Sequence, residues 1–285
     1  MIRESEIFGD RLFEIVKICA SLSSVRYDVL RNHDDNQWWP LAIDDWRLRL
    51  VVAGWSTRIS YNMISTYQSV IYRTQTIGYD RLCTVSDEEL ASIVAPLGLV
   101  HSRVEYFRAV HNFLNQSGIE KRTIVEANND KLIELLAESV KGAGYKVAQC
   151  AILYAKGYHC GIFPVDSDMK DMLGPCIGFE LPKGALAHNV MRKQIEHLLN
   201  ARSTDYLALV HQLGYGHLNF PENQAPIWWT HLVLIYFKRR YCNKQAFHAC
   251  PLRGDRSVGA YIGTMCDRHN TQPGINLLSP HGNVQ

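Results

Sequence analysis

A lysine and an aspartate stand where their side chains could do covalent chemistry. Lys146 comes two residues after Gly144, at the predicted start of a helix, and Asp166 precedes the next predicted helix. The dipole field at a helix N-terminus, together with burial, favours the neutral form of a lysine amine, which is nucleophilic. A partly buried carboxylate that faces this amine could stabilise positive charge on a substrate. The alternatives are a solvated surface lysine and an aspartate that only caps its helix.

Two glycines separated by one residue join a short predicted helix to the helix of Lys146. Gly142 and Gly144 let the chain reverse tightly at positive φ, and they leave the first N–H groups of the second helix uncovered. Such a terminus suits a phosphate group, and Lys141 could add a contact, whereas the alternative is an ordinary helix–helix turn. Cys150 lies one turn after Lys146 on the same face, where it either lines a pocket or belongs to the core.

The spacing of apolar residues predicts helices nearly throughout the chain. Residues 7–30 follow a helical period, and capping signals predict helix starts at Asp44 or Asp45, at Ser86 and at Ser102. The sequence contains no long alternating pattern of the kind that is typical of strands. It therefore predicts an all-α fold.

Composition limits the function classes only loosely. The chain has 285 residues, of which 47% are hydrophobic, and a net charge of +2, which permits nucleic-acid binding without arguing for it. The sequence shows no secretory signal and no apolar run long enough to cross a bilayer, so an intracellular protein is expected. The eight cysteines form no CxxC pair, and most are expected to be buried.

The hairpin and the Pro-Val-Asp loop that follows it resemble the catalytic region of the helix-hairpin-helix DNA glycosylase superfamily, which includes endonuclease III and 8-oxoguanine DNA glycosylase. The matching runs are Val-Lys-Gly-Ala-Gly-Tyr-Lys-Val-Ala at 140–148 and Pro-Val-Asp at 164–166, and they are more similar to the 8-oxoguanine branch. Residues 51–58 and 97–104 resemble two upstream segments of the family, in the same order. The resemblance covers roughly residues 46–170.

The resemblance implies a role for each residue of the hairpin and its surroundings. Lys146 and Asp166 would be the catalytic pair, and Cys150 and Trp55 would line the substrate pocket. Trp55 occupies the position at which the family often inserts a glutamine into the gap left by the flipped base. An intercalating wedge, a pocket wall and a core residue all stay open for it. The residues expected to contact DNA are Gly142, Gly144, Lys141, Tyr145, Trp55 and Arg58.

The resemblance also implies two helical lobes with an active-site cleft between them. One lobe spans 46–164, and the other joins 1–45 with 165–285. The function implied is base-excision repair by a monomeric glycosylase for an oxidised or modified base in double-stranded DNA, with lyase activity by β-elimination. Two alternatives are a same-fold N-glycosidase for a modified nucleoside or nucleotide outside duplex DNA and a non-catalytic DNA-binding protein.

Members similar to endonuclease III carry a four-cysteine iron–sulfur motif near the C-terminus. Cys242 and Cys250 resemble two of its ligands and the other two are missing, so no cofactor is expected. A zinc site that adds His248 and Cys266 or His269 is an alternative with irregular spacing.

Overall fold

The regular structure of the chain is helical. The computed structural model describes residues 2–36, 43–242 and 250–254, and every regular element in these ranges is a helix, as the sequence predicts. The α-helices are α1 (Ile2–Ser21), α2 (Ser23–Asn32), α3 (Trp46–Trp55), α4 (Ile64–Ile77), α5 (Tyr79–Thr84), α6 (Asp87–Val94), α7 (Val100–Ser117), α8 (Lys121–Glu126), α9 (Asn129–Ser139), α10 (Tyr145–Lys156), α11 (Ser167–Leu173), α12 (Leu186–Ala201), α13 (Ser203–Gln212), α14 (Ile227–Tyr241) and α15 (Pro251–Gly254). Two 3₁₀-helices cover Tyr61–Met63 and Ala95–Leu97, and a π-helix covers Gly174–Gly178.

Two of the helix starts follow from their capping residues. The carboxylate of Asp45 accepts a hydrogen bond from the N–H of Arg47 at 2.9 Å, and α3 begins at the residue between them. The hydroxyl of Ser86 accepts from the N–H of Glu89 at 3.2 Å at the start of α6. Each side chain satisfies one of the N–H groups that a helix leaves open at its first turn, which is why these predictions are correct.

Two helix predictions are wrong. The predicted helix at 7–30 is divided into α1 and α2 at Leu22, which is extended with φ −73° and ψ 124°. The start predicted at Ser102 lies two residues earlier, because Leu99 adopts a left-handed conformation with φ 49° and precedes the first helical residue, Val100. The hydroxyl of Ser102 therefore lies inside α7 and not at its N-cap.

A buried arginine explains the early start of α7. The Arg103 guanidinium donates to the carbonyl of Gly98 at 2.8 Å and to that of Leu97 at 3.1 Å, so the carbonyl groups of the turn before the helix are satisfied. It also donates to the carbonyls of Trp55 and Thr57, at the end of α3. A buried guanidinium needs such partners because its desolvation is costly.

The helices pack in two groups around one apolar core. In the first group, α3 contacts α7 and α10, α9 and α8 contact α10, and α6 packs between α4 and α7. In the second, α1, α2 and α11 pack against α14, and α12 contacts α1, α11 and α13. Helix α10 also contacts α12, which brings the groups together. The division at 46–164 stays a prediction, and the site described below lies where the two groups meet.

Candidate active site

A four-residue turn leads from α9 into α10. The N–H of Ala143 bonds to the carbonyl of Val140 at 2.9 Å, and Gly142 has φ 89° at the third position of the turn, where a side chain would be strained. Gly144 departs from the expectation of positive φ, since its φ is −64°. It is extended and serves as the N-cap of α10, so only Gly142 requires the left-handed region.

The N-terminus of α10 is open because its N-cap is a glycine, which has no side chain to cover it. The first helical bond joins the N–H of Ala148 to the carbonyl of Gly144 at 3.0 Å, so the N–H groups of residues 145–147 have no partner within the helix. Lys141 is exposed on the preceding turn and forms an ion pair with Glu105 at 2.7 Å. This end of the helix has the form of an anion site.

Lys146 and Asp166 line the same cavity. Its volume is about 330 Å³, and it lies between the end of α3, the first turns of α10, the segment around the start of α11 and the middle of α14. Within the described part of the chain, the two side chains form no ion pair with each other, so a substrate can enter between amine and carboxylate. The other lining residues are Asn36, Ser56, Arg58, Ile59, Cys150, Pro164, Ser167, Asp168, His231, Leu232, Ile235, Tyr236 and Arg239.

Asp166 has the structural role that the sequence left open beside the catalytic one. One oxygen of its half-buried carboxylate accepts a hydrogen bond from the N–H of Met169 at 2.8 Å, which caps α11. A carboxylate has two oxygens and about four acceptor sites, so this bond leaves capacity to interact with a developing positive charge. Capping and charge stabilisation are therefore compatible in one side chain.

Cys150 is both buried and part of the cavity wall. Burial raises the pKa of its thiol, and the positive charge of Lys146 opposes that shift. A thiol in this state is a small, neutral contact surface for a ligand rather than a nucleophile.

Arg58, expected to contact DNA, lies at the cavity with its side chain exposed. Its backbone is left-handed, with φ 55°, just after the end of α3. Tyr145 is half-buried against the core and is not among the cavity-lining residues. The structure thus brings Arg58 to the cavity together with Lys146 and Asp166, whereas Tyr145 lies at the start of α10, on the hairpin side.

Trp55 lies in the core, which corrects the expectation of a DNA wedge or pocket wall. The ring is fully buried, its N–H donates to the carbonyl of Arg103 at 3.0 Å, and it stacks on Phe107 with 6.2 Å between ring centroids. The core alternative holds because α7 covers this face of α3. The ring therefore cannot reach a DNA stack from this position.

His231 is a cavity residue that the sequence analysis did not single out. It lies in the middle of α14 and is almost completely buried, stacked on Trp228 with 5.3 Å between ring centroids and 14° between ring planes. Burial lowers its pKa to about 3, and the positive charges of Arg239 and Lys146 act in the same direction. The signal was its position as a polar residue inside the long apolar run at 227–237.

Three thiols lie close together at the second group of helices. Cys19 is fully buried, and its pKa is raised by burial and by the nearby thiols of Cys250 and Cys242. No group of three or more histidine, cysteine or acidic residues in the described ranges has the arrangement of a metal site. The zinc and cluster alternatives involving His248, Cys266 and His269 lie outside the described residues.

None of the helices in the described part of the chain combines the length and the apolar character that a membrane crossing needs.

No family model matches the sequence, and no curated protein sequence matches it. Among solved structures, the chain is similar to the H. pylori 3-methyladenine DNA glycosylase (MagIII) bound to 1,N6-ethenoadenine. The TM-score is 0.55 and the sequence identity 18%, over 80% of this chain and 97% of that chain. At this identity the likeness shows a shared fold, which is the fold that the resemblance to DNA glycosylases predicted.

Proposed function

We propose that this chain is a DNA glycosylase that excises an oxidised or otherwise modified base and then cleaves the abasic strand through Lys146. The observation that carries the proposal is the placement of Lys146 and Asp166 on one cavity, next to an open helix N-terminus, in a fold shared with a DNA glycosylase. The substrate is damaged double-stranded DNA, bound by a monomer whose lobes are 46–164 and 1–45 with 165–285.

The first chemical step is loss of the base. The damaged nucleotide leaves the stack and enters the cavity, since the N–C1′ bond is not accessible inside a duplex. The base departs with the electron pair of that bond and takes up a proton, which leaves positive charge shared by C1′ and O4′ of the sugar. The carboxylate of Asp166 stabilises this charge.

The second step is attack by Lys146. Its amine forms a bond to C1′ and loses its protons to solvent, while the C1′–O4′ bond breaks to give an iminium and a 4′-hydroxyl. Loss of a proton from C2′ then expels the 3′ phosphate, which nicks the strand. Water finally hydrolyses the imine and restores the amine.

The DNA backbone is bound by the hairpin and by nearby basic side chains. A phosphate accepts hydrogen bonds from the open N–H groups at the start of α10, and Gly142 and Gly144 allow its close approach. Lys141, Tyr145 and Arg58 flank this point.

The test is borohydride trapping on duplexes that carry an abasic site, 8-oxoguanine, an oxidised pyrimidine or 1,N6-ethenoadenine. We expect a covalent adduct with the wild type and with Lys141→Ala, the matched control on the same hairpin, and none with Lys146→Ala. Asp166→Asn should slow base release at least about 100-fold, the usual cost of losing a charge-stabilising group.

The outcomes separate this function from the alternatives. Adducts that persist in Lys146→Ala would remove the lysine from the mechanism, and base release without any adduct would leave a glycosylase without lyase activity. Turnover of free modified nucleosides with weak duplex binding would favour the small-substrate N-glycosidase, which the low net charge of +2 also suits. Duplex binding without turnover would indicate a non-catalytic protein.

A further inference from the structure

The segment that delivers Asp166 to the cavity is an irregular stretch without helix or sheet partners of its own. Residues 162–165 run between α10 and α11 and are all buried. Buried peptide groups must be hydrogen-bonded, because an unpaired one costs about 1–3 kcal/mol. The partners of this segment are side chains, and they come from three different helices.

Gln149 and His188 bind both polar groups of the residue just before Asp166. The side-chain carbonyl of Gln149 accepts a hydrogen bond from the N–H of Val165 at 3.0 Å. The ring of His188 donates from Nδ1 to the carbonyl of Val165 at 2.9 Å, since a carbonyl can only accept. The amide nitrogen of Gln149 donates in turn to the backbone carbonyl of His188 at 3.3 Å, which closes the set of contacts.

Two further side chains hold the residues before Val165. The N–H of Phe163 donates to the carboxylate of Glu196 at 2.9 Å. The carbonyl of Pro164 accepts from the ring of His231 on α14. The path of the chain into Asp166 is therefore determined by side chains of α10, α12 and α14.

Gln149 differs from the other three because it shares a helix with Lys146. It lies one turn further along α10 and is fully buried, so its side chain has little freedom to move relative to that helix. Its bond to Val165 connects the helix that carries the amine directly to the residue preceding the carboxylate. No other described side-chain hydrogen bond joins these two elements.

We infer that Gln149 is a positioning residue, which sets the separation between the Lys146 amine and the Asp166 carboxylate through its hydrogen bonds to Val165 and His188. The inference rests on the proposed function of this pair. Displacement of a catalytic group by about 1 Å can cost about 100-fold in rate, so a single lost hydrogen bond at this point has a large kinetic effect.

The experiment compares two substitutions of Gln149 with a matched control. Gln149→Met keeps the length of the side chain and removes both hydrogen bonds, whereas Gln149→Glu keeps an acceptor for the N–H of Val165. Thr74→Val is the control, since Thr74 is equally buried but its hydroxyl bonds only to carbonyls of its own helix, those of Val70 and Ile71.

Two assays separate positioning from general damage. Single-turnover base release requires Asp166, and borohydride trapping on a preformed abasic duplex requires Lys146. We expect Gln149→Met to slow base release about 10- to 100-fold and to slow trapping much less, with duplex affinity unchanged within about 3-fold. Gln149→Glu should recover most of the lost rate, and Thr74→Val should match the wild type in both assays.

Equal losses in both assays, or no recovery in Gln149→Glu, would overturn the inference and indicate a merely structural role. If the wild type itself neither releases a base nor forms an adduct, the proposed function fails. In that case, crystal structures of the wild type and of Gln149→Met decide the geometry. An unchanged separation of Lys146 and Asp166 in the variant would overturn the positioning role, and an increased separation would support it.

Discussion

At the scale of single residues, the approach of α7 to α3 depends on one glycine. A Cβ atom built on Gly54 would overlap the ring of Tyr106, whose hydroxyl donates to the carbonyl of Leu50 at 3.0 Å. The phenol ring thus crosses the surface of α3 at the only point of that helix without a side chain. It also lies 3.4 Å from the position of a Cβ on Gly142, in the hairpin.

We therefore expect Gly54→Ala to destabilise the fold by about 1–3 kcal/mol, the usual cost of overpacking a buried site. Urea denaturation measures the free energy of unfolding. The control is Gly9→Ala in α1, where a Cβ meets its nearest neighbour, Leu198, at an ordinary 3.8 Å. Alanine there should stabilise the helix slightly. Equal stability of the two variants would contradict the contact with Tyr106.

At the scale of helices and loops, the sequence predicts those features that depend on neighbouring residues. The caps at Asp45 and Ser86 act over two or three residues and were found, as was the reversal at Gly142. The start of α7 was missed because it depends on Arg103, whose side chain reaches carbonyls of another helix. The burial of Trp55 beneath α7 was also out of reach for the same reason.

The candidate site shows the same limit. Lys146 and Asp166 could be predicted because each belongs to a short motif with a characteristic spacing. His231 and Gln149 could not, since their roles arise from contacts between α14 or α10 and the buried segment at 162–165. Sequence patterns describe one element at a time, whereas a cavity and its supports are made by several.

The contacts of Arg103 give a prediction at this scale. Arg103→Met keeps much of the side-chain volume but leaves several buried carbonyls at the ends of α3 and α7 without their donor. We expect a loss of at least about 3 kcal/mol in the free energy of unfolding, as for other broken buried networks. Chemical denaturation checks it.

The control for this prediction is Arg122→Met. Arg122 forms an exposed ion pair with Glu126 on α8, and such pairs contribute little to stability. If both variants unfolded at the same denaturant concentration, the guanidinium of Arg103 would not be what joins the two helices.

For the molecule as a whole, the small net charge of +2 means that DNA binding depends on a few local cations rather than on a general basic surface. Arg58 is such a cation, because it is exposed at the rim of the cavity. Lys141 is less available, since its ammonium group is paired with Glu105 at 2.7 Å.

We expect Arg58→Ala to weaken duplex binding regardless of base sequence and to reduce the slope of log affinity against log salt by about 1. Fluorescence anisotropy with a labelled duplex between low and moderate salt measures this slope. Lys141→Ala should change the slope less. A larger change for Lys141→Ala than for Arg58→Ala would indicate that the hairpin, and not the rim of the cavity, holds most of the phosphate contacts.

The burial of α14 also has a consequence for how the protein is made. Residues 227–237 of this helix are all buried, and the helix packs on α1 and α2, which leave the ribosome first. At about 5–20 residues per second, these N-terminal helices wait ~10–40 s for the partner that covers their apolar faces. During that interval the nascent chain exposes surface that chaperones bind, so its yield depends on them more than a fold with sequential helix pairing would.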